Sequence, residues 1–178
     1  MPRVLIFLIG LLICCAAQAV TLQQLSLDQM TQSATAIVRA RVTASSASYT
    51  GTTIYTHYSL QVTESWKGFT PAEVMVPGGT ASGRRQSFPG VPQLAVGTEY
   101  LLFVWTSSTT GITHLLGMSQ GVFNLSRQPD GSTLATRPLV GEMMLDATGR
   151  KVTDQAIQMP LTTLKSRVSR TLTAGAVK

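Results

Sequence analysis

Glu99-Tyr100-Leu101-Leu102-Phe103-Val104-Trp105-Thr106 shows no alternation of polar and apolar residues between its ends. A strand with one face in water alternates, whereas a strand covered on both faces reads as an unbroken apolar run. This run is therefore expected to be the most buried strand of the protein. Two upstream stretches do alternate. Ala36, Val38, Ala40, Val42 and Ala44 share one face, with Arg39, Arg41 and Thr43 on the other. Ile54, Thr56, Tyr58, Leu60 and Val62 alternate with Tyr55, His57, Ser59, Gln61 and Thr63 as far as Trp66-Lys67-Gly68. Both patterns are those of half-buried strands, and Ser45–Thr53 between them reads as turn-rich around Gly51. The predicted core is Val38, Val42, Tyr58, Leu60, Val62, Leu102 and Val104.

Shorter strands are expected at Val74-Met75-Val76, Ile112–Leu116, Gly121–Leu125 and, after a turn at Pro129-Asp130-Gly131, Ser132–Arg137. Two helices complete the pattern. Ser26 and Gln29 have capping-box spacing ahead of Leu27, Met30 and Ala34. Pro160 can begin a second helix, over about 160–172, in which Leu161, Leu164, Val168 and Leu172 recur at near-helical spacing. Lys165, Arg167 and Arg170 flank that stripe, which is expected to pack on the sheet, with the tail fraying after Thr173. The predicted architecture is mainly β: a small, partly open, OB-like barrel with a short N-terminal helix and a C-terminal helix. An immunoglobulin-like sandwich is the alternative, and it lacks the Cys–Trp–Cys core pattern here.

The chain has 178 residues, 44% hydrophobic and only 12% charged, which excludes disorder and a nucleic-acid tail. Met1–Ala19 combines Arg3, an apolar run from Val4 to Cys15 and Ala17-Gln18-Ala19, the layout of a secretory signal peptide. Residues 20–178 are then read as one domain, periplasmic or secreted, with no transmembrane segment once the signal is removed. Both cysteines, Cys14 and Cys15, leave with it, so neither a disulfide nor a thiolate site is expected. The formal net charge of +6 is spread along the chain without aromatic interleaving. That pattern fits an anionic partner, and no nucleic acid.

The residues that look chemical mostly lack the context their chemistry needs. Gly117-Met118-Ser119-Gln120-Gly121 matches a nucleophile elbow, yet the residues after Ser119 look like a strand where a helix is required, and both histidines precede it. Gly78-Gly79-Thr80-Ala81-Ser82-Gly83-Arg84-Arg85 approaches a phosphate-binding loop but has Arg84 for the lysine and Arg85 for the hydroxyl residue. His57 and His114 are the only imidazoles, and His57 reads as an ordinary surface histidine. No metal, cofactor or catalytic residue is expected. Pro77–Gly97 is rich in Gly, Pro and Ser, has no period, and is longer than connections usually are. Arg84 and Arg85 at its centre, with Phe88 three residues on, make it the candidate ligand-binding segment.

Ala34-Thr35-Ala36-Ile37-Val38-Arg39-Ala40-Arg41-Val42, Trp66-Lys67-Gly68, Gly78-Gly79, Pro89-Gly90-Val91-Pro92, Gly97-Thr98-Glu99-Tyr100-Leu101-Leu102-Phe103 and Gln120-Gly121-Val122-Phe123 occur in that order. The series resembles a broad, uncharacterised family of small exported bacterial proteins over about Ser26 to Leu125. Thr35 and Ala40 stand where that family usually has Asp and Gly. The resemblance implies a barrel similar to OB-like and tissue-inhibitor-like folds and implies no catalytic residues. The functional expectation is thus a non-enzymatic exported binding module acting through the 77–97 loop. The alternatives are an inhibitor or regulator of an exported protease, in its sharpest form a metalloprotease whose zinc a free Val20 amine chelates, and a serine hydrolase using Ser119.

Overall fold

The computed structural model describes residues 21–175; the expected signal peptide and Val20 lie outside the described residues. The chain is mainly β, with a short helix near each end of the described segment. The strands are β1 (Thr21–Gln23), β2 (Ala36–Thr50), β3 (Thr53–Lys67), β4 (Glu73–Pro77), β5 (Gly79–Ala81), β6 (Arg84–Gln86) and β7 (Glu99–Thr106). They continue with β8 (Thr113–Leu115), β9 (Val122–Arg127), β10 (Thr133–Arg137), β11 (Met143–Leu145), β12 (Lys151–Val152) and β13 (Ile157–Pro160). Helix α1 is Leu27–Ser33 and α2 is Leu161–Gly175. No helix among the described residues is long and apolar enough to cross a membrane.

The main sheet has eight strands in the order β13-β10-β9-β7-β2-β3-β4-β8, and β7 pairs a second time, with β8. That extra pairing folds β7, β2, β3, β4 and β8 into a ring from which β9, β10 and β13 extend. Closure is partial, because β4 and β8 meet at one parallel pair, Met75 with His114. A small sheet, β1-β11-β12, lies apart and joins β1 to β11 in parallel.

The apolar run of β7 is explained by two cores, one on each of its faces. Tyr100, Leu102 and Val104 fill the ring with Val38, Val42, Tyr58, Val74 and Val76. Leu101 and Phe103 turn outward and meet Ile37, Phe123 and both helices through Met30, Leu161, Leu164 and Val168. Five of the predicted core residues are buried, while Leu60 and Val62 are only half-buried.

The turn-rich reading of Ser45–Thr53 does not hold. β2 and β3 form one long hairpin that turns only at Gly51-Thr52. Register shifts between Ile37 and Val38, Arg39 and Ala40, and Val42 and Ala44 break its alternation. Such bulges re-aim side chains, so Ala44, placed with Val42 by its spacing, is exposed. Beyond the ring the hairpin is largely polar, apart from Ile54, which is fully buried beside Gly79 of β5.

The helix ends are set by named contacts. Ser26 Oγ accepts from Gln29 N–H while Gln29 Oε1 accepts from Ser26 N–H, completing the capping box. Lys67 Nζ donates to the carbonyls of Thr31 and Gln32, both at 2.8 Å, placing a cation at the C-terminal end of α1. Burial there holds its pKa below the usual lysine value. Gly68 follows with φ of +69°, and a Cβ at that point would lie 2.0 Å from Thr35 O. The Trp66-Lys67-Gly68 sequence is therefore a structural joint between helix and hairpin. Helix α2 continues to Gly175, past the expected fraying point. Its Lys165 reaches Glu64 of β3, and that ion pair holds the Glu64 carboxyl below its usual pKa.

Candidate functional site

The Pro77–Gly97 segment is ordered by hydrogen bonds at both ends, which corrects its reading as irregular. Gly79–Ala81 and Arg84–Gln86 pair as a hairpin, with Ser82 (φ 49°) and Gly83 (φ 73°) both left-handed at its tip. Two positive φ values in a two-residue loop are what a tight hairpin requires. The hairpin's foot is fixed to β3. Gln86 Oε1 accepts from Ile54 N–H at 2.7 Å and its amide donates to Thr52 O, while Thr56 Oγ1 donates to Gly78 O. Farther on, the Tyr58 and Tyr100 hydroxyls accept from Leu94 and Ala95 N–H.

Arg84 and Arg85 are exposed, and neither side chain makes an ion pair or hydrogen bond with a described residue. Successive strand residues point to opposite faces, so the two guanidinium groups straddle the hairpin instead of forming one clamp. Phe88 is 40% exposed and lines a shallow cleft of about 100 Å³ with Thr56, Tyr58, Val91 and neighbours. The structure therefore places Arg84 and Arg85 on one anchored hairpin beside β2 and β3, a cation on each face, with Phe88 just past its end.

The Ser119 motif is structural. Gly117 adopts left-handed geometry, and a Cβ on Gly121 would approach Leu116 O to 2.3 Å. A short 3₁₀ turn, Met118–Gly121, leads into β9 and not into a helix. Ser119 Oγ is buried without a hydrogen-bond partner among the described residues, so no imidazole activates it. Its neighbour Gln120 is fully buried and ties two segments together, accepting from Leu25 N–H and donating to Gln23 O, both at 2.9 Å. Sequence reading passed over Gln120 because a buried glutamine carries no periodic mark.

His57 has more partners than a surface histidine needs. Its Nδ1 lies 2.9 Å from Glu73 Oε1 and its Nε2 3.0 Å from Ser48 Oγ. The distances match those of a hydrolase triad, but the surroundings do not. Ser48 is exposed on the outer hairpin arm, opposite Tyr55 in a continuous ladder. This cluster fastens β2, β3 and β4 across the sheet.

At the ring seam Tyr55, Met75, Trp105, His114, Leu115 and Met118 line a second groove, of about 320 Å³. The ring centroids of Trp105 and His114 are 6.5 Å apart and nearly parallel, and Tyr55 stands 6.5 Å from His114 on another side. Sequence reading missed it because Met75, Trp105 and Met118 come from separate elements and each reads as core. Among the described residues no three His, Cys, Asp or Glu side chains gather as a metal-binding group. Val20, invoked for zinc chelation, is outside the described residues, and Thr21–Gln23 pair with Met143–Leu145. Comparison with protein-family models and with curated proteins returns no match.

Proposed function

We propose that this protein is a non-enzymatic binding module of an exported compartment, and that it engages an anionic partner surface through the β5–β6 hairpin. The observation carrying this reading is the pair Arg84 and Arg85, exposed and unpaired among the described residues, on a hairpin anchored by Gln86. Guanidinium groups without internal partners keep all their donors for a ligand, and an anchored hairpin loses little entropy on binding. Cations on opposite faces suit an extended acidic surface better than one small anion. Phe88 beside the hairpin adds an aromatic contact of the kind that anchors interfaces.

The test is salt elution from an immobilised acidic peptide, comparing Arg84→Ala/Arg85→Ala with the charge-matched Arg167→Ala/Arg170→Ala on α2. The hairpin variant is expected to elute at clearly lower salt with an unchanged melting temperature, and the helix variant close to the parent protein. Equal shifts in both variants would reduce the binding to bulk charge and remove the hairpin from the site.

A further inference from the structure

The seam that closes the ring carries an unusual set of side chains. Met75 of β4 stands opposite His114 of β8, and His114 stands opposite Trp105 of β7. Neighbouring strands lie about 4.7–4.9 Å apart, so these three residues form a continuous row on one face. It is the outer face, because the flanking Val74, Val76, Val104 and Leu115 fill the ring core. Met118 lines the same groove from the turn that follows β8.

Met118 holds φ at 58°, directly after the left-handed Gly117. A non-glycine residue in that region costs on the order of 1–3 kcal/mol and persists where the surroundings over-determine it. Glycine would remove the strain, but it would also remove the thioether from the groove. The His114 imidazole makes no hydrogen bond to a described residue, in contrast to His57, whose two ring nitrogens are both engaged. No carboxylate lines the groove.

We propose that Met75, Met118 and His114 form a binding site for a soft monovalent cation, Cu(I), walled by Trp105. Two thioethers and a neutral imidazole make an uncharged, soft donor set. Thioethers select Cu(I), while harder divalent ions favour carboxylates, imidazole clusters and water. The indole supplies a π-face on which a poorly hydrated cation is stabilised. An ion held by Met75 and His114 would also bridge β4 and β8 where the backbone supplies one pair, so loading the site tightens the ring. This site is separate from the β5–β6 hairpin and stands or falls independently of it.

The test uses the full chain with Cys14→Ser and Cys15→Ser, which removes the N-terminal thiols as competing ligands. Cu(I) is titrated anaerobically against a chromophoric Cu(I) chelator, with Ag(I) as a redox-inert parallel. A single equivalent is expected to leave the chelator, with quenching of tryptophan emission and slowed amide exchange in β8. Met75→Leu and Met118→Leu keep volume and lose sulfur, so each should weaken binding about tenfold or more, the scale on which metal-site substitutions act. Trp105→Phe should retain the stoichiometry and lose the quenching. Failure to compete with the chelator, or undiminished binding by the Met75→Leu/Met118→Leu double variant with its fold intact by circular dichroism, would overturn the assignment.

Discussion

The β2–β7 junction and the β4–β8 seam belong to the same ring and are built in opposite ways. At the junction Ala36 to Arg41 pair continuously with Glu99 to Val104, and both faces of β7 are covered. At the seam β4 and β8 share one pair, and the outer face is a groove lined by Trp105, 44% exposed, and His114. Burial on both faces makes the junction the part whose opening requires global unfolding. The seam can open locally, and low local stability is where binding elements are drawn from. One partly closed sheet thus separates a stabilising wall from an adaptable one.

The largest expected loss is electrostatic and lies outside the ring, on the sheet that extends from the wall. Arg137 of β10 pairs with Asp154 at 2.7 Å, and both side chains are 3% exposed. Desolvation pushes the Arg137 pKa down despite its carboxylate partner, and its Nε and Nη1 have no partner among the described residues. Asp154→Ala leaves a buried uncompensated charge and should cost about 3–5 kcal/mol in urea unfolding. Val140 N–H also loses its acceptor in that variant. Recovery of most of this loss by Arg137→Met/Asp154→Leu would identify the stranded charge as the cause.

Leu102→Ala, in the ring core beside the junction, should cost about 2–5 kcal/mol through lost burial and an unfilled cavity. A loss under about 0.5 kcal/mol, typical of surface positions, would contradict the two-core description. Gln120→Ala comes next. It deprives the Leu25 N–H and Gln23 carbonyl of their partner, at about 1–3 kcal/mol for the unsatisfied groups. Its unfolding curve should show that loss while Ser119→Ala changes little.

How much of this contrast was legible in the sequence depends on where the neighbours come from. The wall was legible in β7, because burial on two faces leaves an unbroken apolar run. So were the Ser26–Gln29 capping box and the Leu161, Leu164, Val168 stripe, since both are local repeats. The outer hairpin arm was hidden by three bulges that shift the alternation and by its polar residues, which look like a turn. The candidate site was legible only in part. Arg84, Arg85 and Phe88 are close in sequence, but their anchoring depends on Gln86 reaching the distant β2–β3 turn. The seam groove was illegible for a similar reason, as Met75, Trp105 and His114 meet only through long-range pairing.

Acid sharpens the comparison with a smaller effect. Glu64 sits below its usual pKa chiefly through its hydrogen bond from Lys165. Glu99 is also lowered: burial raises it, but the bonds from Arg39 and Thr63 together prevail. A carboxyl with a depressed folded pKa contributes stability above its unfolded value of about 4.3 and loses it as pH falls further. Stability should therefore decline below that pH, and Glu64→Gln/Glu99→Gln should flatten the decline. An unchanged acid limb would remove both groups from the linkage. Hydrogen exchange gives the smallest and most local reading: β8 amides should exchange through openings well below the global free energy, and β2–β7 amides only near it. Equal protection in both would erase the distinction between wall and seam.

The parallel pairing of β1 with β11, Thr21 with Met143, sets an order of events on the folding chain. A parallel pair cannot close through a tight hairpin, and this one spans most of the described residues, so its loop-closure cost is high. The β2–β3 hairpin needs only its own turn, so it can form early, and the rest of the ring can condense on it with the N-terminal strand still loose. β1 is then expected among the last strands to dock, a closing stitch added to a body already assembled.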